Sequence, residues 1–162
     1  MSTTSLPTSP PMTSTMAPPI DEVTIASHLL GSLTVPRTEL VDVPAGLYGF
    51  EGCHAFALVP AGRDGLWWLQ SAERAELVFL LADPFVFFAG HVVDVPPAEL
   101  APLGATEDTP LMALVIVTLP ARDGGAPTAN LRAPVLLDPA RRIARQVVLE
   151  NERLSLTAAL QL

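Results

Sequence analysis

From about Arg37 onward, short runs of β-branched, Leu and Phe side chains alternate with Pro, Gly and Asp clusters. Apolar runs of this length, punctuated by turn residues, are the pattern of strands in a small sandwich or barrel. The runs predict strands at Thr38–Val43, Ala55–Val59, Leu66–Gln70, Leu77–Ala82, Ala89–Val95, Leu111–Leu119, Asn130–Leu137 and Ile143–Glu150. Pro97–Leu103, with Pro and Glu at its start, predicts the one short helix. A parallel α/β sheet needs crossover helices of about ten or more residues, and the intervals between these runs contain none. The expected fold class is therefore mostly β: a small antiparallel β-barrel-like domain with one short helix. Asp123-Gly124-Gly125 marks a hairpin between the Leu111 and Asn130 strands, because Gly supplies positive φ without steric cost.

The pattern is different before Arg37. Between Ser2 and Pro19, fourteen of eighteen residues are Ser, Thr or Pro, a composition that buries too little to offset the entropy of ordering. Ile20, Val23, Leu29, Leu30 and Leu33 follow at loosely helical spacing, but Gly31 interrupts them and short isolated helices are marginal. More tail is the expectation there, in preference to a docking helix. Residues 1–36 are thus read as a disordered Ser/Thr/Pro-rich tail and residues 37–162 as the folded domain.

Composition narrows the function classes. With 162 residues, 49% of them hydrophobic and only 16% charged, the chain suits one domain with a real core. Its net charge of −8 opposes non-specific attraction to phosphate backbones and anionic lipid, so direct nucleic-acid binding and membrane binding are not expected. A single cysteine, Cys53, excludes an internal disulfide and fits a reducing compartment. The first positive charge is Arg37, so the N-terminus lacks the basic region of a secretory signal. The expected location is the cytoplasm.

Residue types also exclude several chemistries. The chain has no lysine, which removes Schiff-base chemistry, Ser–Lys catalysis and a P-loop. No G-x-G-x-x-G follows a strand. Cys53 and His54 are neighbours in an extended segment and so point to opposite faces; no C-x-x-C or paired-His spacing supports a metal site. His91 lies within Gly90-His91-Val92-Val93 as a strand histidine, and Ser71 stands outside any G-x-S-x-G elbow. The carboxylate pairs Asp21-Glu22 and Glu107-Asp108 belong to tail and loop, where they are solvated. Arg141, Arg142 and Arg145 form the one basic cluster, without the interleaved aromatics of an RNA site. The expectation is a binding protein, not an enzyme, with no metal and no cofactor.

Five segments place turn and polar residues at fixed points between the apolar runs. They are Gly46-Leu47-Tyr48-Gly49-Phe50-Glu51, Leu69-Gln70-Ser71, Asp83-Pro84-Phe85, Asn130-Leu131-Arg132-Ala133-Pro134 and Gln146-Val147-Val148-Leu149. In this order and spacing the chain, from about Thr38 to Glu150, resembles the flagellar assembly factor FliW family. The resemblance implies a β-barrel-like domain without catalytic activity. It also implies two protein partners, flagellin and the RNA-binding translational regulator CsrA, and a role in antagonising CsrA so that flagellin translation follows filament assembly. His91 stands near where the family usually carries a tyrosine.

On that resemblance the partner-binding candidates are Gln70, Ser71, Asp83, Asn130 and Gln146. Gly46, Gly49, Phe50, Pro84 and Pro134 are the structural motif residues, kept for backbone geometry or the core. Satisfying backbone hydrogen bonds is the competing role for the polar ones. A barrel that binds a small molecule, a flavin or a lipid, is the alternative function.

Overall fold

Strands that are apolar on both faces have to be covered twice, and that requirement organises this fold. The computed structural model describes residues 20–162 together with Ser5 and Ser9. Among the described residues eleven strands and two four-residue α-helices follow one another. They are β1 (Glu22–Ser27), β2 (Gly31–Pro36), β3 (Val41–Asp42), β4 (Ala55–Pro60), β5 (Leu66–Ser71), β6 (Val78–Ala82), α1 (Pro84–Phe87), α2 (Pro97–Leu100), β7 (Met112–Thr118), β8 (Thr128–Ala129), β9 (Val135–Asp138), β10 (Ile143–Gln146) and β11 (Ala158–Ala159). Seven of them close a ring in the order β7-β6-β5-β4-β3-β10-β9, with β9 returning to β7. Closure leaves this ring without an open edge. Its pairings are antiparallel except that of β3 with β10, which run parallel through Asp42 and Ile143.

The barrel interior and two outer faces each hold a cluster. Inside, Phe56, Leu69, Leu81, Leu114, Val135 and Leu137 are buried against one another, with Trp67, Phe50 and Phe79 at the margin. Outside β5–β7, Leu66, Leu80, Val115 and Val117 are covered by Trp68, Phe87, Phe88, Leu131 and Leu160. Outside β9, Leu136 meets Leu100 and Leu103 from α2 and its 3-10 extension, with Val147 and Leu149. Trp67 and Trp68 thus go to opposite faces, as the period of a strand requires.

Strand β7 divides its second edge. Met112–Leu114 pairs with β9, whereas Val117–Thr118 pairs with β8, which in turn carries β11. The chain has to step from one to the other, so the strand predicted over Asn130–Leu137 is broken by a turn at 130–134. Two further expectations are corrected. Ala89–Val95 is irregular, with Gly90 at φ +71°, because the closed ring offers it no partner. The last predicted strand ends at Gln146, although Val147 and Leu149 still donate backbone bonds to Pro134 and Arg132 at 2.9 and 2.8 Å. The predicted helix forms as α2 followed by the 3-10 turn Ala101–Leu103.

The largest correction lies before Arg37. Residues 22–36, expected as tail, form the antiparallel hairpin β1–β2, joined by a three-residue loop and a left-handed Gly31. Val23-Thr24-Ile25 and Leu33-Thr34-Val35 alternate apolar and polar, and all but Leu33 are β-branched, which favours strand over helix. Ile25 is only 2% exposed, and the His28 N–H donates to the Ala75 carbonyl at 2.9 Å, so the hairpin is seated on the domain. Most of the predicted Ser/Thr/Pro tail, residues 1–19 apart from Ser5 and Ser9, lies outside the described residues.

Candidate partner-binding site

Three successive tight turns build the segment after β3. The N–H groups of Gly46, Phe50 and Cys53 donate to the carbonyls of Val43, Leu47 and Phe50. Gly46 is obligatory here: its φ is +67°, and a Cβ would lie 2.5 Å from the Glu51 Cα. Gly49 has φ +85° but open space around it, so only its backbone angle favours glycine. Leu47 is buried in the barrel, and Phe50 meets the Phe79 ring edge-on at 5.2 Å. The Glu51 carboxylate accepts from the Gly49 N–H at 3.0 Å, which holds its pKa below the usual carboxylate value.

Gln146 ties this loop to the other side of the ring. Its Oε1 accepts from the Tyr48 N–H at 3.0 Å, and its Nε2 donates to the Ala133 carbonyl at 3.2 Å. Two motif segments some hundred residues apart therefore share one amide. Together they line a small cleft of about 120 Å3 with Arg145. The Tyr48 side chain stands over it, 59% exposed. Arg145 pairs with Glu99 at 3.2 Å, and its buried Nε has no partner among the described residues.

Gln70 and Ser71 organise the β5–β6 turn. The fully buried Gln70 Nε2 faces the carbonyls of Ser71, Arg74 and Leu77 at 3.0 to 3.1 Å, and that of Ala75 at 3.5 Å. Four carbonyls on one side fix the amide orientation and leave Oε1 without a partner among the described residues. The Ser71 Oγ accepts from the N–H groups of Glu73 and Arg74 at 3.1 and 3.0 Å. The Ala75 carbonyl that receives the hairpin lies in this turn.

Asp83 caps α1: its Oδ1 accepts from the Phe85 N–H at 2.9 Å, and Pro84 takes the first helical position, where a missing N–H costs nothing. Asn130 Oδ1 accepts from the N–H groups of Arg132 and Ala133, both at 3.1 Å, and so makes the turn that carries the chain from β8 to β9. Pro134 is buried where that turn ends.

Of the five polar candidates, Gln70, Ser71 and Gln146 are buried and bonded to backbone groups, the competing role for such residues. Asp83 and Asn130 are half-buried, with Oδ1 engaged in turns. What the motif residues fix is the backbone at four places, the loop after β3, the β5–β6 turn, the start of α1 and the turn after β8, and the exposed side chains beside them were not singled out from the sequence. These are Tyr48, between two turn glycines, and Phe85 and Val86, the positions after Asp83-Pro84 that a one-turn helix has to point outward. The arginine cluster acts as staples. Arg141 bonds the Leu103 carbonyl and Asp138, Arg142 bonds the Glu39 carbonyl, and Arg145 bonds Glu99.

Cys53 points into the core while His54 is exposed, so they form no pair. Among the described residues no three His, Cys, Asp or Glu side chains gather as metal ligands. His91 lies near Phe85 and Phe88, its Nε2 buried without a partner among the described residues, and desolvation lowers its pKa.

Comparison with known proteins agrees with this geometry. The family model described as FliW protein matches residues 24–160, a span that takes in most of the hairpin. The flagellar assembly factor FliW of Natranaerobius thermophilus is 34% identical over 127 residues, 77% of this chain and 83% of that protein. That of Treponema pallidum is 35% identical over 80% of this chain and 85% of its own length. A crystal structure of the flagellar assembly factor FliW superimposes with a TM-score of 0.76 at 26% identity, covering 85% of this chain and 96% of that one. With the family model matching nearly the whole described region and the barrel matching in three dimensions, the chain belongs to the FliW family of flagellar assembly factors.

Proposed function

We propose that this protein is a cytoplasmic, non-catalytic factor that binds flagellin and CsrA, and that it antagonises CsrA in a manner governed by flagellin occupancy. Family membership over residues 24–160 is the observation that carries the reading. It is supported by where the motif residues act: they shape turns at the barrel surface and converge on no buried reaction centre. The net charge of −8 suits a partner that is itself basic, as RNA-binding proteins tend to be. The flavin or lipid alternative has less support, because large apolar side chains fill the barrel interior.

Titration calorimetry of the purified protein against CsrA and against flagellin from the same cell tests the proposal. Saturable one-to-one binding of both is expected. Binding of neither, or a chromophore or lipid released on denaturation, contradicts it.

A further inference from the structure

We infer that the open groove between α2 and the start of β7 is the docking surface for a basic, amphipathic segment of the RNA-binding partner. The inference rests on the proposed function and adds the surface and the chemistry of what it takes. Two adjoining depressions of about 330 and 410 Å3 share Leu100, Thr106 and Glu107 and so form one trough. Its floor is apolar, with Val95, Leu100, Leu111 and Leu136, and Phe85 stands at one end, 54% exposed.

The rim carries one sign of charge. Asp94, Glu107 and Asp108 line the trough, and no arginine does. From Ala75 to Ala121 the sequence holds six carboxylates and no positive side chain. Glu76 and Glu99 of these six are neutralised by Arg74 and Arg145, whereas Asp94, Glu107 and Asp108 pair with no cation of the described residues. The loop that presents two of them is braced from within, since the Thr106 N–H donates to Thr109 Oγ1 at 2.9 Å and the Thr109 N–H to the Thr106 carbonyl at 3.1 Å. Glu107 and Asp108 are therefore held outward at the margin of an apolar floor, away from any internal partner.

An apolar floor with an anionic rim selects a segment that is apolar on one face and flanked by Arg or Lys. A divalent cation is a poor match, because the carboxylates do not gather as a ligand set among the described residues. An anionic small molecule is repelled by the rim. A second copy of this chain brings a net −8 to an already acidic surface. Proteins that bind RNA carry cationic surfaces, since they neutralise phosphates, and that singles out CsrA over flagellin as the source of the segment.

The test uses the full chain in three forms: wild type, the charge reversal Glu107→Lys/Asp108→Lys, and the control Asp64→Lys/Asp123→Lys. The control makes the same change in net charge at two exposed turns outside the trough. Affinity for CsrA and for flagellin is measured at low and at high salt. The inference expects the Glu107/Asp108 reversal to weaken CsrA at least tenfold at low salt and less at high salt, with the control within about threefold of wild type, because exposed charges act over roughly 8 Å at physiological ionic strength. Phe85→Ala is expected to weaken CsrA at both salt concentrations. Equal effects of reversal and control, or a loss confined to flagellin, overturn the groove while leaving the proposed function standing. Wild-type protein that binds neither partner brings down the proposed function and the groove with it.

Discussion

Single side chains in this protein do most of their work on backbone groups. Gly46→Ala combines a left-handed φ with a Cβ contact of 2.5 Å to backbone and should lower stability by about 2 kcal/mol or more, whereas Gly49→Ala, strained in φ alone, should cost about 1 kcal/mol. Denaturant melts of the two variants check the order; equal losses would mean that the close approach at Gly46 is unimportant. Gln70 gives a sharper case. Gln70→Glu replaces a donor by a carboxylate facing four carbonyls. Burial raises the pKa of such a carboxyl, and the protonated acid recovers one donor. The deficit of this variant relative to wild type should therefore shrink as pH falls from 7 to 5, and a deficit independent of pH contradicts the geometry. His91 runs in the opposite sense. Its folded pKa lies below the ordinary 6.5 through desolvation, so the unfolded chain binds the proton first and stability is lost as pH falls below about 6.5. His91→Gln should flatten that part of the wild-type profile. These roles were legible in the sequence as residue positions but not as directions: alternation says that Gln70 sits in a strand, and only the turn that closes over it says that its amide faces inward.

Among the elements, the barrel was legible because its runs are apolar and bounded by turns, whereas the β1–β2 hairpin was not. Glu22 to Pro36 has the alternation of a pair of strands, but it adjoins a Ser/Thr/Pro-rich stretch, and leucines around Gly31 give a loose helical spacing. Ala89–Val95 failed for the converse reason, since its β-branched content suits a strand that the closed ring cannot accept. The hairpin's seat on the domain, through Ile25 and the His28–Ala75 bond, sets the prediction at this scale. A chain beginning at Arg37 should be less stable than the full chain by roughly 1.5–3 kcal/mol, the scale of burying one Ile. Ile25→Ala should reproduce much of that loss. Melting temperatures indistinguishable from the full chain in both variants would mean that the hairpin is not coupled to the barrel.

At the scale of the whole molecule, the proposed switch depends on whether two partners compete for the surface of one small domain. A standard interface takes about 800 Å2 from each partner, against a total accessible surface of 10458 Å2 for this chain, so area alone does not force two partners to collide. The proposed coupling would instead run through the body of the barrel, where motif residues link distant turns: Gln146 joins the Tyr48 loop to Ala133, and the Gln70 turn receives the hairpin. The measurement that bears most directly on the proposed function is therefore the affinity for CsrA with and without saturating flagellin, repeated with the partners exchanged. The switch predicts mutual weakening by the same factor in both directions, a tenfold effect corresponding to about 1.4 kcal/mol of coupling. A ternary complex in which each partner binds with undiminished affinity would contradict it.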